Sequence, residues 1–152
     1  MSGLWDWALE AYARPGAQEA LLSLQDEHGV NIPYLLWALW AAQGPGLTPQ
    51  ACGEAAVLAR AWEMRVTGPL RAARRGLKLP LEGIDGDARL GLRGRIQHEE
   101  LAAERLLLES LERLAPDAGQ PGAVSEALWR AAQAWGGGEA AQGAILAVSR
   151  IF

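Results

Sequence analysis

The chain has 152 residues, half of them apolar, a net charge of −4 and one cysteine. Such an apolar content supports a core and excludes a disordered chain. A lone thiol excludes an intrachain disulfide and a cysteine zinc cluster and suits a reducing cytoplasm.

No basic segment precedes the first apolar stretch, so a signal peptide is not expected. The longest uninterrupted apolar run is residues 33–42, well short of the ~20 that a membrane span needs. Strand-type alternation is absent, while Ala, Leu, Glu and Arg abound. These are strong helix formers, so the expectation is all-α: a compact bundle of about six to seven helices in one domain, 1–152.

The first helix is predicted at about 3–13, with Ser2 as its cap and Leu4, Ala8, Ala11 and Tyr12 on one face. Pro15 fits the first turn of a second helix, which runs to about His28, where Gly29 ends it in a left-handed turn. Asn31 caps a third helix with Pro33 in its first turn. This helix is apolar nearly all round, which predicts a central buried element with Trp37 and Trp40 in the core.

Residues 43–46 (QGPG) read as a turn. Thr48-Pro49 opens the longest helix, whose stripe is read through Val57, Leu58, Ala61, Trp62 and Arg65 or Val66. Gly68-Pro69 falls inside it and predicts a kink or break before the helix resumes through Leu70, Ala73 and Leu77. Residues 79–88 read as a loop. A fifth helix follows at about 89–114, with i,i+4 pairs Arg95–Glu99, Arg105–Glu109 and Glu109–Arg113. Residues 116–122 form a linker. Helices at 123–135 and 139–151, parted by the glycine run 136–138, are expected to pack on the rest.

Charge is uneven along the chain. Residues 1–59 carry −5, residues 60–95 carry +5 and residues 96–152 carry −4. Either a basic middle satisfies itself against acidic flanks, or it offers a docking face to an anionic partner. The candidate face is Arg71, Arg74, Arg75 and Lys78, at i, i+3, i+4 and i+7 on one side of a helix. Guanidinium forks there suit carboxylates or phosphates. The competing reading pairs the stripe with Glu99, Glu100 and Glu104 of the next helix.

One set of segments is distinctive: Leu4-Trp5, Trp7-Ala8, Tyr12, Pro15-Gly16, Leu24-Gln25-Asp26, Gly29, Asn31 and Leu35-Leu36-Trp37 with Trp40. It continues as Trp62, Pro69-Leu70-Arg71, Arg74-Arg75, Lys78, Glu100-Leu101 and Glu104. Over roughly residues 3–110 this resembles a bacterial family of small helical proteins described as a domain of unknown function. The resemblance implies a small, soluble, bacterial, helical protein and implies no activity.

No catalytic constellation stands out. Gln25-Asp26-Glu27-His28 sets a carboxylate beside an imidazole, but adjacent helix positions point about 100° apart and do not face each other. His98-Glu99-Glu100 lacks the second histidine of a zinc protease motif, since position 102 is alanine. Asp85-Gly86-Asp87 starts like a calcium loop and then fails at Arg89 and Ile96. Cys52 lies in the first turns of a helix, where a thiolate is favoured, but no histidine is tied to it.

No cofactor, metal or nucleic acid is therefore expected. The reading is a cytoplasmic adaptor or regulatory interaction protein, rather than an enzyme, whose basic helix face meets an acidic protein surface. The alternatives are peripheral membrane association, or a helical enzyme or small-ligand protein with a Trp/Arg pocket.

Overall fold

The structure is a computed structural model that describes residues 3–44, 46–114, 124–136 and 139–152. It is built of α1 (Leu4–Tyr12), α2 (Ala17–His28), α3 (Ile32–Gln43), α4 (Pro49–Trp62), a π-helical turn (Glu63–Thr67), α5 (Gly68–Gly76), α6 (Gly86–Glu112), α7 (Val124–Trp135) and α8 (Glu139–Ser149). No strand occurs among the described residues. Ser2, Pro45 and residues 116–122 and 137–138, each named in the sequence reading, lie outside the described residues.

The fold is organised round α3. Every residue from Pro33 to Ala42 is buried, because α1, α2, α4, α6 and α7 all pack against this one helix. Asn31 starts it: its Oδ1 accepts from the Tyr34 amide at 2.9 Å. Tyr34 stacks on Trp37 at 5.9 Å, tilts against Trp135 at 5.2 Å, and donates its hydroxyl to the Ala131 carbonyl at 2.7 Å. Burial pushes its phenol far above the ordinary range. Trp135 in turn donates its indole N–H to the Gly29 carbonyl at 2.9 Å, so α7 closes over the α2–α3 corner. Trp37 and Trp40 are both core residues, and their indole N–H groups have no partner among the described residues.

Local chemistry revises several expectations. Gly29 does end α2 in a left-handed turn, φ 65°. Gly16 adopts φ 79° immediately before α2, so Pro15 lies outside the helix rather than in its first turn. Thr48 caps α4 as read, accepting from the Ala51 amide at 3.1 Å. The face that α4 buries is Ala51, Cys52, Ala55, Ala56 and Ala59, whereas Val57 is 72% exposed. The smallest side chains face inward because α4 lies close against α3 and α7, whose tryptophans already fill the space. Cys52 sits in this alanine row. Its burial raises the thiol pKa, the opposite of the activation its helix position suggested.

At Gly68-Pro69 the helix does not break. It widens into the π turn, in which the Gly68 amide bonds the Glu63 carbonyl five residues back. Proline supplies no N–H, and its ring collides with the carbonyl four residues earlier in an α-helix; the wider turn makes room. Gly68 is needed there, since a Cβ would lie 2.6 Å from the Glu63 oxygen. α6 begins at Gly86, three residues before the predicted start, because Asp85 caps it by accepting from the Ala88 amide at 2.9 Å. Of the three i,i+4 pairs read in this helix, Arg105–Glu109 forms, at 2.9 Å.

Candidate functional site

Among the described residues, α5 touches no helical element other than the π turn and α6. None of residues 68–102 is buried, and α6 enters the core only from Ala103 onward. The α5–α6 hairpin is therefore an arm, rooted where α6 meets the bundle. At the root Trp62 donates its indole N–H to the Ala103 carbonyl at 2.9 Å.

The basic stripe lies on this arm and divides in two. Arg71 stands 3.7 Å from Glu63, and Arg74 Nε bonds Glu100 Oε2 at 2.7 Å. Arg75 and Lys78 are exposed and form no salt bridge among the described residues. Of the three acids read as rival partners, Glu100 bonds the stripe, Glu99 is exposed, and Glu104 feels Arg71 and Arg74 through space. Glu63 was missed. It precedes Arg71 by eight residues, which in an α-helix points it aside. The π turn absorbs one residue, so the two align as if seven apart. Gly68-Pro69 signals a disturbance of the helix there, but not that it takes the form of one inserted residue.

Beyond the stripe the arm ends in an apolar tip. Leu79, Leu81 and Ile84 are 71%, 67% and 54% exposed, round a shallow depression floored by Leu77 and Leu92. Arg89 crosses the tip and donates to the Leu77 carbonyl, tying the start of α6 to the end of α5. The tip thus follows directly in the chain on Arg75 and Lys78, and the exposed acids Glu82 and Asp87 belong to the same segment.

A second feature sits at the root. Between α1, α3 and α6 lies a half-open cleft of about 170 Å³, walled by Trp5, Leu36, Leu101 and Leu108. Among the described residues, Tyr12 and Glu104 are its only ionisable lining groups. Burial raises the Glu104 pKa; Arg71 and Arg74 oppose this and Glu100 adds to it. Tyr12 is also raised, by burial and then by Glu104. Neither side chain is hydrogen-bonded among the described residues. Sequence reasoning missed Glu104 as a cleft residue, since its position resembles any acid on a solvated helix.

The family model described as "Protein of unknown function (DUF2390)" matches residues 3–111. The chain belongs to this family. The DUF2390 match spans both the arm and the cleft and stops in the last turn of α6, so α7 and α8 lie outside it. No curated protein and no solved structure matches the chain. No helix among the described residues is long and apolar enough to cross a membrane.

Proposed function

We propose that this chain is a small bacterial, cytoplasmic adaptor, folded as one domain, that docks an acidic partner protein through the α5–α6 arm. The observation that carries this is the arm's composition. A segment without one buried residue keeps Leu79, Leu81 and Ile84 in solvent beside the unpaired cations Arg75 and Lys78. Contiguous exposed apolar surface rimmed by charge marks interaction sites. Fully burying one such side chain is worth about 1.5–3 kcal/mol, and association itself costs at least ~4 kcal/mol. One anchor alone cannot meet that cost, and three together reach only the lower part of its ~4–15 kcal/mol range, so the charged rim has to contribute as well.

The arm holds most of the chain's basic block, which fits an acidic partner and a salt-sensitive association. The test uses two variants, the charge reversal Arg75→Glu/Lys78→Glu and the tip variant Leu79→Ser/Leu81→Ser/Ile84→Ser. Each is compared with wild type by affinity capture from native cells, and the captured protein is then purified and rebound. The reading requires both variants to lose the partner and wild-type affinity to fall as salt rises, because exposed charges are screened over ~10 Å at 0.1 M. Unchanged rebinding by both variants overturns it. So does co-sedimentation of wild type with anionic vesicles without a protein partner.

A further inference from the structure

We propose that the cleft between α1, α3 and α6 binds a small organic amine. Glu104 holds the ammonium, and Trp5, Leu36 and Leu108 enclose a ring or short alkyl body. This is independent of the arm's docking role.

The charges at the cleft do not balance. Two guanidinium groups on α5, those of Arg71 and Arg74, act on Glu104 through space without lining the cleft, and each has another carboxylate beside it, Glu63 for Arg71 and Glu100 for Arg74. Glu104 is a third carboxylate beside them. The next cation along α6, Arg105, turns away to Glu109 at 2.9 Å and lies over the Trp5 ring at 5.2 Å. Three carboxylates thus share two cations, and burial in the cleft raises the Glu104 pKa. A part-buried carboxylate without a hydrogen bond is costly, and an ammonium that brings both charge and donors removes that cost.

The rest of the lining selects the body of the ligand. Apart from Tyr12 and Glu104 the walls are apolar, supplied by α1, α3 and α6. The volume, about 170 Å³, is close to the ~150 Å³ that an apolar protein cavity needs to hold benzene. One ring or a short chain fits within it. The Tyr12 hydroxyl, beside Glu104, offers the ammonium a second acceptor. An anionic ligand is disfavoured, since it would meet Glu104 while both nearby arginines are already paired.

The test is isothermal titration of the full chain with 2-phenylethylamine, and with 2-phenylethanol, which replaces the ammonium by a hydroxyl. N-acetyl-lysine amide serves as a third probe and stands for a lysine side chain of another protein. The expected result is saturable one-to-one binding of the amine at least about tenfold tighter than the alcohol or the lysine amide. Glu104→Gln should abolish the preference for the amine over the alcohol without lowering the melting temperature. Leu101→Lys provides a check that does not touch Glu104. Leu101 is half-exposed at the rim, one turn from Glu104, so a lysine there supplies a tethered ammonium and should weaken amine binding about tenfold. Equal binding of amine and alcohol, an amine preference that survives Glu104→Gln, or the lysine amide binding tightest would each overturn the proposal. So would the absence of any amine binding at millimolar concentration.

Discussion

Reversing one arginine of the stripe should damage the fold, while reversing its neighbour should not. Arg74 bonds Glu100 at 2.7 Å, with the two side chains only 24% and 14% exposed. Fully exposed pairs contribute ~0.2–1 kcal/mol, and removing one partner of a fully buried pair costs ~3–5 kcal/mol. A pair this far from water falls between, at about 1–2 kcal/mol for Arg74→Ala. The other Glu100 oxygen, Oε1, is buried without a partner, so losing Arg74 leaves that carboxylate with no bond among the described residues. Arg74→Glu sets a like charge against Glu100 and Glu104 and should cost about 1 kcal/mol more. For a chain of this length 1 kcal/mol is ~2–4 °C, so Arg74→Glu should melt roughly 5–10 °C below wild type. Arg75→Glu should stay within ~2 °C, because an exposed substitution away from any bonded network lies within ±0.5 kcal/mol. Circular-dichroism melts in low and high salt give the comparison. Equal losses for the two variants would refute the division of the stripe into a structural half and a free half.

Trp37→Ala should cost ~3–5 kcal/mol, by emptying the space of the largest fully buried side chain, whereas Trp37→Phe should cost far less, because the indole N–H it discards has no partner; chemical denaturation measures both. Gly68→Ala should destabilise by more than ~1 kcal/mol, through the 2.6 Å approach to the Glu63 oxygen, while Gly76→Ala, with nothing within 4 Å, should be neutral or stabilising. Glu104 binds its proton more tightly folded than unfolded, so its contribution is full below the ordinary carboxylate pKa and is lost as pH rises through its raised value. Glu104→Gln should therefore gain stability over wild type at pH 7, and the gain should shrink as pH falls toward 4; melting curves across that range check the sign.

The parts of the fold that were legible are those fixed by local chemistry or by a continuous apolar run. Asn31 and Thr48 cap the helices they were read to cap, and an all-round apolar helix had nowhere to lie but the centre. What was not legible depended on partners distant in sequence. Leu4, the first residue of α1, gives its amide proton to Glu112 at 2.9 Å, a cap supplied across the bundle by the end of α6. The inward alanine face of α4 is set by the bulk of α3 and α7, and nothing in α4 itself reports that bulk. The site divides the same way. The spacing of Arg71, Arg74, Arg75 and Lys78 showed a helical face but could not show which cations are paired. That depends on the π turn and on where α6 returns along α5.

α6 links the arm and the cleft physically. At 27 residues it is about 40 Å long, and its first half has no core beneath it. An isolated hairpin of such composition would be marginal, since the stability of a helix in a protein comes mostly from packing. The arm is ordered because α6 continues into the bundle through Ala103, Leu107, Leu108 and Leu111, and because Arg71 and Arg74 fasten α5 at the root. Those two fastenings place Glu63 and Glu100 where they consume both cations nearest Glu104. The pairing that holds the arm in place is therefore the same pairing that leaves the cleft carboxylate to share its nearest cations with Glu63 and Glu100, and neither feature can be altered at Arg71 or Arg74 without changing the other.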